Sequence, residues 1–263
     1  MTAAAFIYDD VSLYMGGVDF ATATKKFGMT ASLEKRDVTT FRQFVSNGVT
    51  APNDAKLLVG GLESSEITIS GIADLRDDDV TGVGISSILH AATIARVPIP
   101  LTACPDGRSA GSIAYITEQL VASVTDSLEP GIEYVFDSAL SGGRVSRGAV
   151  LLAPGAVTGS GVGSTVDSAA LGVASLDPDG GQYLYVGIHL LSTTGQGIAF
   201  GVESSADGFA TAGNVRATSA TLTAAGGAYL MVPISGHLTD TDFRVTYTVT
   251  GGTHVAAVSA AIE

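Results

Sequence analysis

The chain has 263 residues, 46% of them apolar and 15% charged, which supplies a sizeable core and argues against wholesale disorder. Its 26 acidic against 13 basic residues leave a formal charge of −13, the wrong sign for a groove that grips nucleic-acid phosphates. Cys104 is the single cysteine, so no disulfide forms within the chain. The 33 glycines and absence of tryptophan suit many short strands joined by tight turns.

Residues Met1–Asp10 lack a basic region and a continuous apolar stretch, so no signal peptide is expected, and no run approaches the roughly 18 apolar residues of a membrane span. From Phe6 to Phe20, Gly16-Gly17 between two β-rich arms predicts a hairpin. Over 29–37, Met29, Ala31, Leu33, Lys35 and Asp37 alternate with Thr30, Ser32, Glu34 and Arg36. That period of two predicts a strand, and charges on both faces of its far end predict that this end leaves the core. Residues 42–61, with Asn47-Gly48 and Pro52-Asn53-Asp54, read as a long polar loop of a length that often marks function. Ile67, Ile69 and Gly71 then mark another alternating strand.

A helix is predicted over 84–96, where Ile85, Ile88, Leu89 and Ala92 share one face. Ser86 or Asp79 would cap its start, and Pro98 and Pro100 forbid its continuation. Strands at 113–124 and 132–140 flank Glu129-Pro130-Gly131. Further strands are expected at 148–153, 165–175, 183–191, 197–204, 215–222, 228–234, 243–250 and 254–262, the last two as a hairpin over Gly251-Gly252. The fold class is mainly β. An N-terminal barrel or sandwich domain with one helix, 1–147, would precede a C-terminal antiparallel sandwich, 148–263.

Motifs of chemistry are missing. His90, His189, His237 and His254 are scattered without metal-ligand spacing. Asp77-Asp78-Asp79 could ligate calcium, but a solvated acidic turn ahead of a helix is the simpler reading. "GSGVGS" (159–164) falls short of a dinucleotide fingerprint and reads as a flexible turn. Cys104 lies in a Pro-Asp-Gly turn whose nearest basic group is Arg108, an inert setting. Neither an enzyme, a metal nor a cofactor is expected.

"DVTTF" (37–41) followed by "GLESSEITISGIAD" (61–74) resembles the major tail tube proteins of long-tailed, siphovirus-type phages. "RVSRGAVLLAP", "VGIHLLSTTGQGIAFGVESSADGF" and "DFRVTYTVTGGTHVAAVSAAI" resemble the C-terminal region of phage tail proteins of this group, so the likeness runs in order along nearly the whole chain. Arg42 stands where the family usually has glycine, and Ile72-Ala73 where it has an aromatic pair.

The resemblance implies a structural virion protein, made in the host cytoplasm and located in the virion tail. Six copies would join strands into a ring around a lumen, and rings would stack into a tube with the C-terminal domain as decoration. Tape measure, terminator and tail-tip proteins are the implied partners. Viral DNA would transit the acidic lumen without specific binding, and no membrane is involved. Glu34, Lys35, Arg36, Asp37, Thr39 and Thr40 are then candidates for the seam between copies. Arg42, Phe44, Asn47, Asn53, Asp54 and Lys56 are candidates for a ring-stacking loop. The alternative is a surface or secreted sandwich module that binds carbohydrate, for which Tyr183, Tyr185, Tyr229 and Tyr247 are the available aromatics.

Overall fold

The computed structural model describes residues 11–21, 24–37, 45–46, 49–50, 58–72, 85–127, 135–172, 182–234 and 238–263. The N-terminal half contains β1 (Ser12–Met15), β2 (Val18–Asp19), β3 (Thr24–Asp37), β4 (Val45–Ser46), β5 (Val49–Thr50) and β6 (Leu58–Ile72). Helix α1 (Ile85–Ala95), β7 (Ile99–Cys104), β8 (Ile113–Ser127) and β9 (Val135–Gly142) follow. The C-terminal half contains β10 (Ser146–Val157), β11 (Gly161–Val162), β12 (Val166–Asp167), a 3₁₀ turn (Ser168–Leu171) and β13 (Tyr183–Thr193). It ends with β14 (Gly197–Ser205), β15 (Asn214–Thr218), β16 (Gly226–Pro233), β17 (Asp242–Gly251) and β18 (His254–Ile262). The protein is mainly β, and every strand pair between these elements is antiparallel.

One sheet of 11 strands runs through both halves, in the order β16-β13-β18-β10-β8-β7-β1-β2, with β9, β6 and β3 branching from β8. The branch exists because β8 is long. Its first residues pair with β7 on one edge and β10 on the other, and its last residues pair with β9. A second sheet, β11-β17-β14-β15 with β12 against β17, covers the C-terminal part of the first.

Three apolar clusters result. Leu13, Phe20, Ile67, Ile69, Leu101, Phe136 and Leu140 form the N-terminal core, capped by Ile85 and Leu89 of α1. The amphipathic face predicted for the helix is the face that is buried. Leu151, Leu184, Val186, Ile188, Phe200, Val202, Phe243 and Val258 fill the C-terminal sandwich. Tyr14, Cys104, Ile116, Val150, Tyr185 and Ala257 form a third cluster drawn from both halves.

The Gly16-Gly17 turn joins β1 and β2 as the sequence predicts, with both glycines in the left-handed region, at φ 57° and 87°. Three expectations fail. Of the strand expected at 165–175, residues 165–172 hold only the two residues of β12, and 173–175 lie outside the described residues. After two residues of β12, Asp167 accepts from the backbone N–H of Ala169 at 2.7 Å and starts the 3₁₀ turn, which Gly172 ends at φ 93°. Residues 161–162 of the presumed flexible turn form β11 instead, packed against β17.

The third failure is the hairpin over Gly251-Gly252. β17 lies in the second sheet and β18 in the first, so this turn crosses between layers. The turn from β13 to β14 crosses beside it, and the two touch glycine to glycine: a Cβ on Gly252 would lie 2.3 Å from Cα of Gly195. The reason is burial. β17 alternates buried and partly exposed residues near its start, as an outer sheet requires, whereas nearly every residue of β18 is buried, as a central strand requires.

Candidate subunit interface

Four strands of the N-terminal half, β3-β6-β9-β8, carry a two-sided pattern across the ladder. On one face Met29, Ile67, Leu140 and Val121 stand in a row and pack into the core beneath α1. On the other face Lys26, Ser70, Asp137 and Thr125 form one row, and Gly28, Thr68, Ala139 and Ser123 the next. Thr30, Glu66 and Ser141 follow, then Ser32 and Ser64, whose hydroxyls are 3.0 Å apart. Period-two alternation gives the sheet one dry and one wet side, and hydroxyl groups predominate on the wet side, joined by Lys26, Glu66, Asp137 and, at the end of the Ser141 row, the exposed Leu120. Two shallow grooves of about 300 and 290 Å³ run along it, lined by Thr30, Ser65 and Ser141 and by Thr68, Ser123 and Asp137.

Both flanks of this four-stranded unit are open among the described residues. The 14-residue β3 pairs only with β6. On the far side β7 begins at Ile99, opposite Gln119, so β8 from Leu120 to Ser127 pairs only with β9. Rows of unpaired N–H and C=O groups along a sheet edge invite another strand. The C-terminal half guards its edges better: β15 has five residues, and β16 ends in Pro233, which has no N–H to offer.

Where β9 turns into β10, buried polar groups hold the branch together. The Gln119 side chain donates to Ser65 Oγ and Thr117 Oγ1, each at 2.7 Å. Ser65 in turn donates to the Gly143 carbonyl and Thr117 to that of Arg144. In the third cluster His189 Nε2 meets Thr102 Oγ1 at 2.9 Å, and its ring lies 5.7 Å from that of Tyr14. Burial holds the His189 imidazole down to about 3, so it is neutral across the physiological range. Burial, with a smaller contribution from Asp19, pushes the Cys104 thiol up to about 12. Arg108 pairs with Asp19 at 3.6 Å, so Cys104 has no activating partner among them.

The sequence-based candidates fare unevenly. Glu34, Lys35, Arg36 and Asp37 do lie at the far end of β3, where Lys35, Arg36 and Asp37 sit opposite Gly60, Val59 and Leu58. Thr39, Thr40, Arg42, Phe44, Asn47, Asn53, Asp54 and Lys56 lie outside the described residues, as do Asp77-Asp78-Asp79 and His237. The hydroxyl-rich face was missed, although its signal is in the sequence: Ser64, Glu66, Thr68 and Ser70 alternate with Ile67 and Ile69. Tyr183, Tyr185 and Tyr229 do gather, but at 36–39° to one another with Tyr185 buried, while Tyr247 lies in the other sheet, so no flat aromatic platform forms. No group of three or more metal-ligating side chains occurs among the described residues, and none of their helices is long and apolar enough to cross a membrane.

No family model matches the chain, and no curated protein sequence does. Among solved structures, a chain from the virion of a native gene transfer agent particle is similar at 15% identity and a TM-score of 0.38, over 54% of this chain and 98% of that one. A chain from the tail of an empty gene transfer agent particle with C6 symmetry follows at 15% identity and 0.34, covering 47% and 81%. A chain from the phage p2 baseplate in its activated conformation is similar at 10% identity and 0.29, over 96% and 98%. Likeness this slight decides neither fold nor function.

Proposed function

We propose that this chain is a structural virion protein, a subunit whose copies join edge to edge into rings that stack into a tail tube. One observation carries the reading: a four-stranded sheet with a wet face, a dry face and two flanks that are open among the described residues. Alone, such a sheet leaves both flanks to water. Repeated around an axis with the dry side covered by α1, it closes on itself and every edge finds a partner. The wet side then lines the lumen, where Glu66 and Asp137 outnumber Lys26 and small hydroxyls offer DNA no cationic grip. A six-copy ring and the stacking role of the 42–60 loop are further parts of this proposal, taken from the family resemblance.

Negative-stain electron microscopy of the purified, concentrated protein tests the reading. Hollow rings or tubes are expected. A monodisperse monomer by light scattering at the same concentration would overturn it, and glycan binding by that monomer would establish the module reading instead. Deleting residues 44–56 should leave folded rings that no longer stack, and normal tubes from that variant would remove the loop from the account.

A further inference from the structure

The β8 flank is interrupted by a bulge. Against β9, Val121 sits opposite Leu140 and Ser123 opposite Ala139, so Ala122 is an extra residue with no opposite number. The alternation along β8 changes phase there. Val121 packs into the dry-side core, Ala122 and Ser123 are both exposed, and Val124 is the next residue to face that core. Ala122 itself lines the wet-side groove with Thr30 and Ser141. The inner strands β6 and β9 pair with no register shift, whereas β3, on the opposite flank, runs unbroken against β6 from Lys26 to Leu33.

A bulge has two consequences for a free edge. The outward N–H and C=O groups lose their regular spacing, and the strand bends and twists more sharply. A neighbour's strand that lacks a matching bulge can therefore form a ladder on one side of Ala122, not through it. Ser123–Ser127 is the longer of the two stretches, since β7 begins opposite Gln119, next to Leu120. We propose, resting on the ring reading above, that the Ala122 bulge is the corner of the ring. It confines β3 of the neighbouring copy to Ser123–Ser127 and sets the angle at which one copy follows the next. A head-to-tail contact gives a ring only if its rotation closes, and a sheet closes only when its strands tilt and its register staggers. The bulge supplies that bend, where straight flanks would run on as a ribbon. The extra position matters here, not the side chain that fills it.

The test uses the full chain. Deleting Ala122 leaves Val121 on the dry side, Ser123 on the wet side and Val124 on the dry side, an unbroken alternation, so the variant should fold; circular dichroism and a thermal melt check this. Negative-stain electron microscopy should show wild-type rings lost, replaced by ribbons or by rings of another diameter, while Ala122→Ser keeps the wild-type rings. Amide exchange of the wild-type chain, assembled against dissociated by dilution, should show protection gained over Ser123–Ser127 and not at Leu120–Val121. That measurement decides the matter even where the deletion fails to fold. Rings of wild-type diameter from the deletion, or protection gained evenly over Leu120–Ser127, would overturn the corner and leave the ring reading standing. If the wild-type chain forms no rings at all, the ring reading falls and the corner with it.

Discussion

The two halves of the molecule put their polar groups to opposite uses. In the C-terminal half the strongest of them are turned inward and bonded to one another. Asp240, almost fully buried, accepts from Ser204 at 2.5 Å, from Arg216 at 2.6 Å and from Asn214 at 3.1 Å, tying β14, β15 and the segment before β17 together. Arg244 grips Glu203 across β17 and β14 and stacks 3.9 Å from the ring centre of Phe209. In the N-terminal half the polar groups of β3, β6, β9 and the end of β8 cover one whole face, and the edges beside them are open among the described residues. One half completes its bonding within itself. The other leaves bonding capacity on one face and along its edges, which the proposed ring would use.

That contrast can be broken most forcefully by cutting the chain after Ser146. If the C-terminal half were only decoration, the remainder should fold. The third cluster says otherwise: the cut removes β13 and β18 and leaves Tyr14, Cys104, Ala114 and Ile116 uncovered. An aggregated product is expected, and a soluble 1–146 fragment with a cooperative melt would show the halves to be independent.

Acid probes the same seam. The unfolded chain protonates His189 below about pH 6.5, whereas the folded chain resists until about 3. Each step down in that window therefore favours unfolding, and the stability lost between those limits should reach several kcal/mol, less other groups' contributions. Urea midpoints at pH 7 and 4 measure it, and His189→Leu should flatten the slope.

Within the sandwich, Asp240→Ala should cost about 3 kcal/mol, because Arg216, Ser204 and Asn214 lose a shared acceptor in a buried place. Burial by itself would raise this carboxyl. Hydrogen bonds from Ser204, Arg216 and Asn214, with the charge of Arg216, outweigh burial and hold it below the ordinary value. Its contribution is present at neutral pH and lost only as pH falls through that lowered value. The smallest effect is Arg244→Ala, about 1 kcal/mol by denaturant titration, since the pair with Glu203 is partly solvated. None of the sandwich variants should alter assembly, which sharpens the contrast between the halves.

Much of the strand order was legible because strand period and turn glycines are local signals. The helix face, the Gly16-Gly17 turn and most C-terminal strands follow from them. What was not legible is which sheet a strand joins. β17 and β18 have the pattern of a hairpin, and only the nearly unbroken burial of His254–Ile262 betrays a central strand in another layer. β7 was hidden by its prolines, read only as stops for the helix. Yet Pro100 is a strand residue whose carbonyl accepts from Gly16. Of the candidate interface, the far end of β3 was visible as a charge run, but the open flank at Leu120–Ser127 depends on where β7 begins, which no local pattern records.

β8 belongs to both halves at once: its first residues wall the shared cluster and its last residues form the open flank. An extended chain of 15 residues, about 50 Å long, has almost no slack. A load on the C-terminal sheet would thus travel down this spar to the rim where copies meet. Forcing a side chain into the shared cluster, as with Gly187→Val against Thr102 and Ile116, should hasten amide exchange far away at Leu120–Ser127.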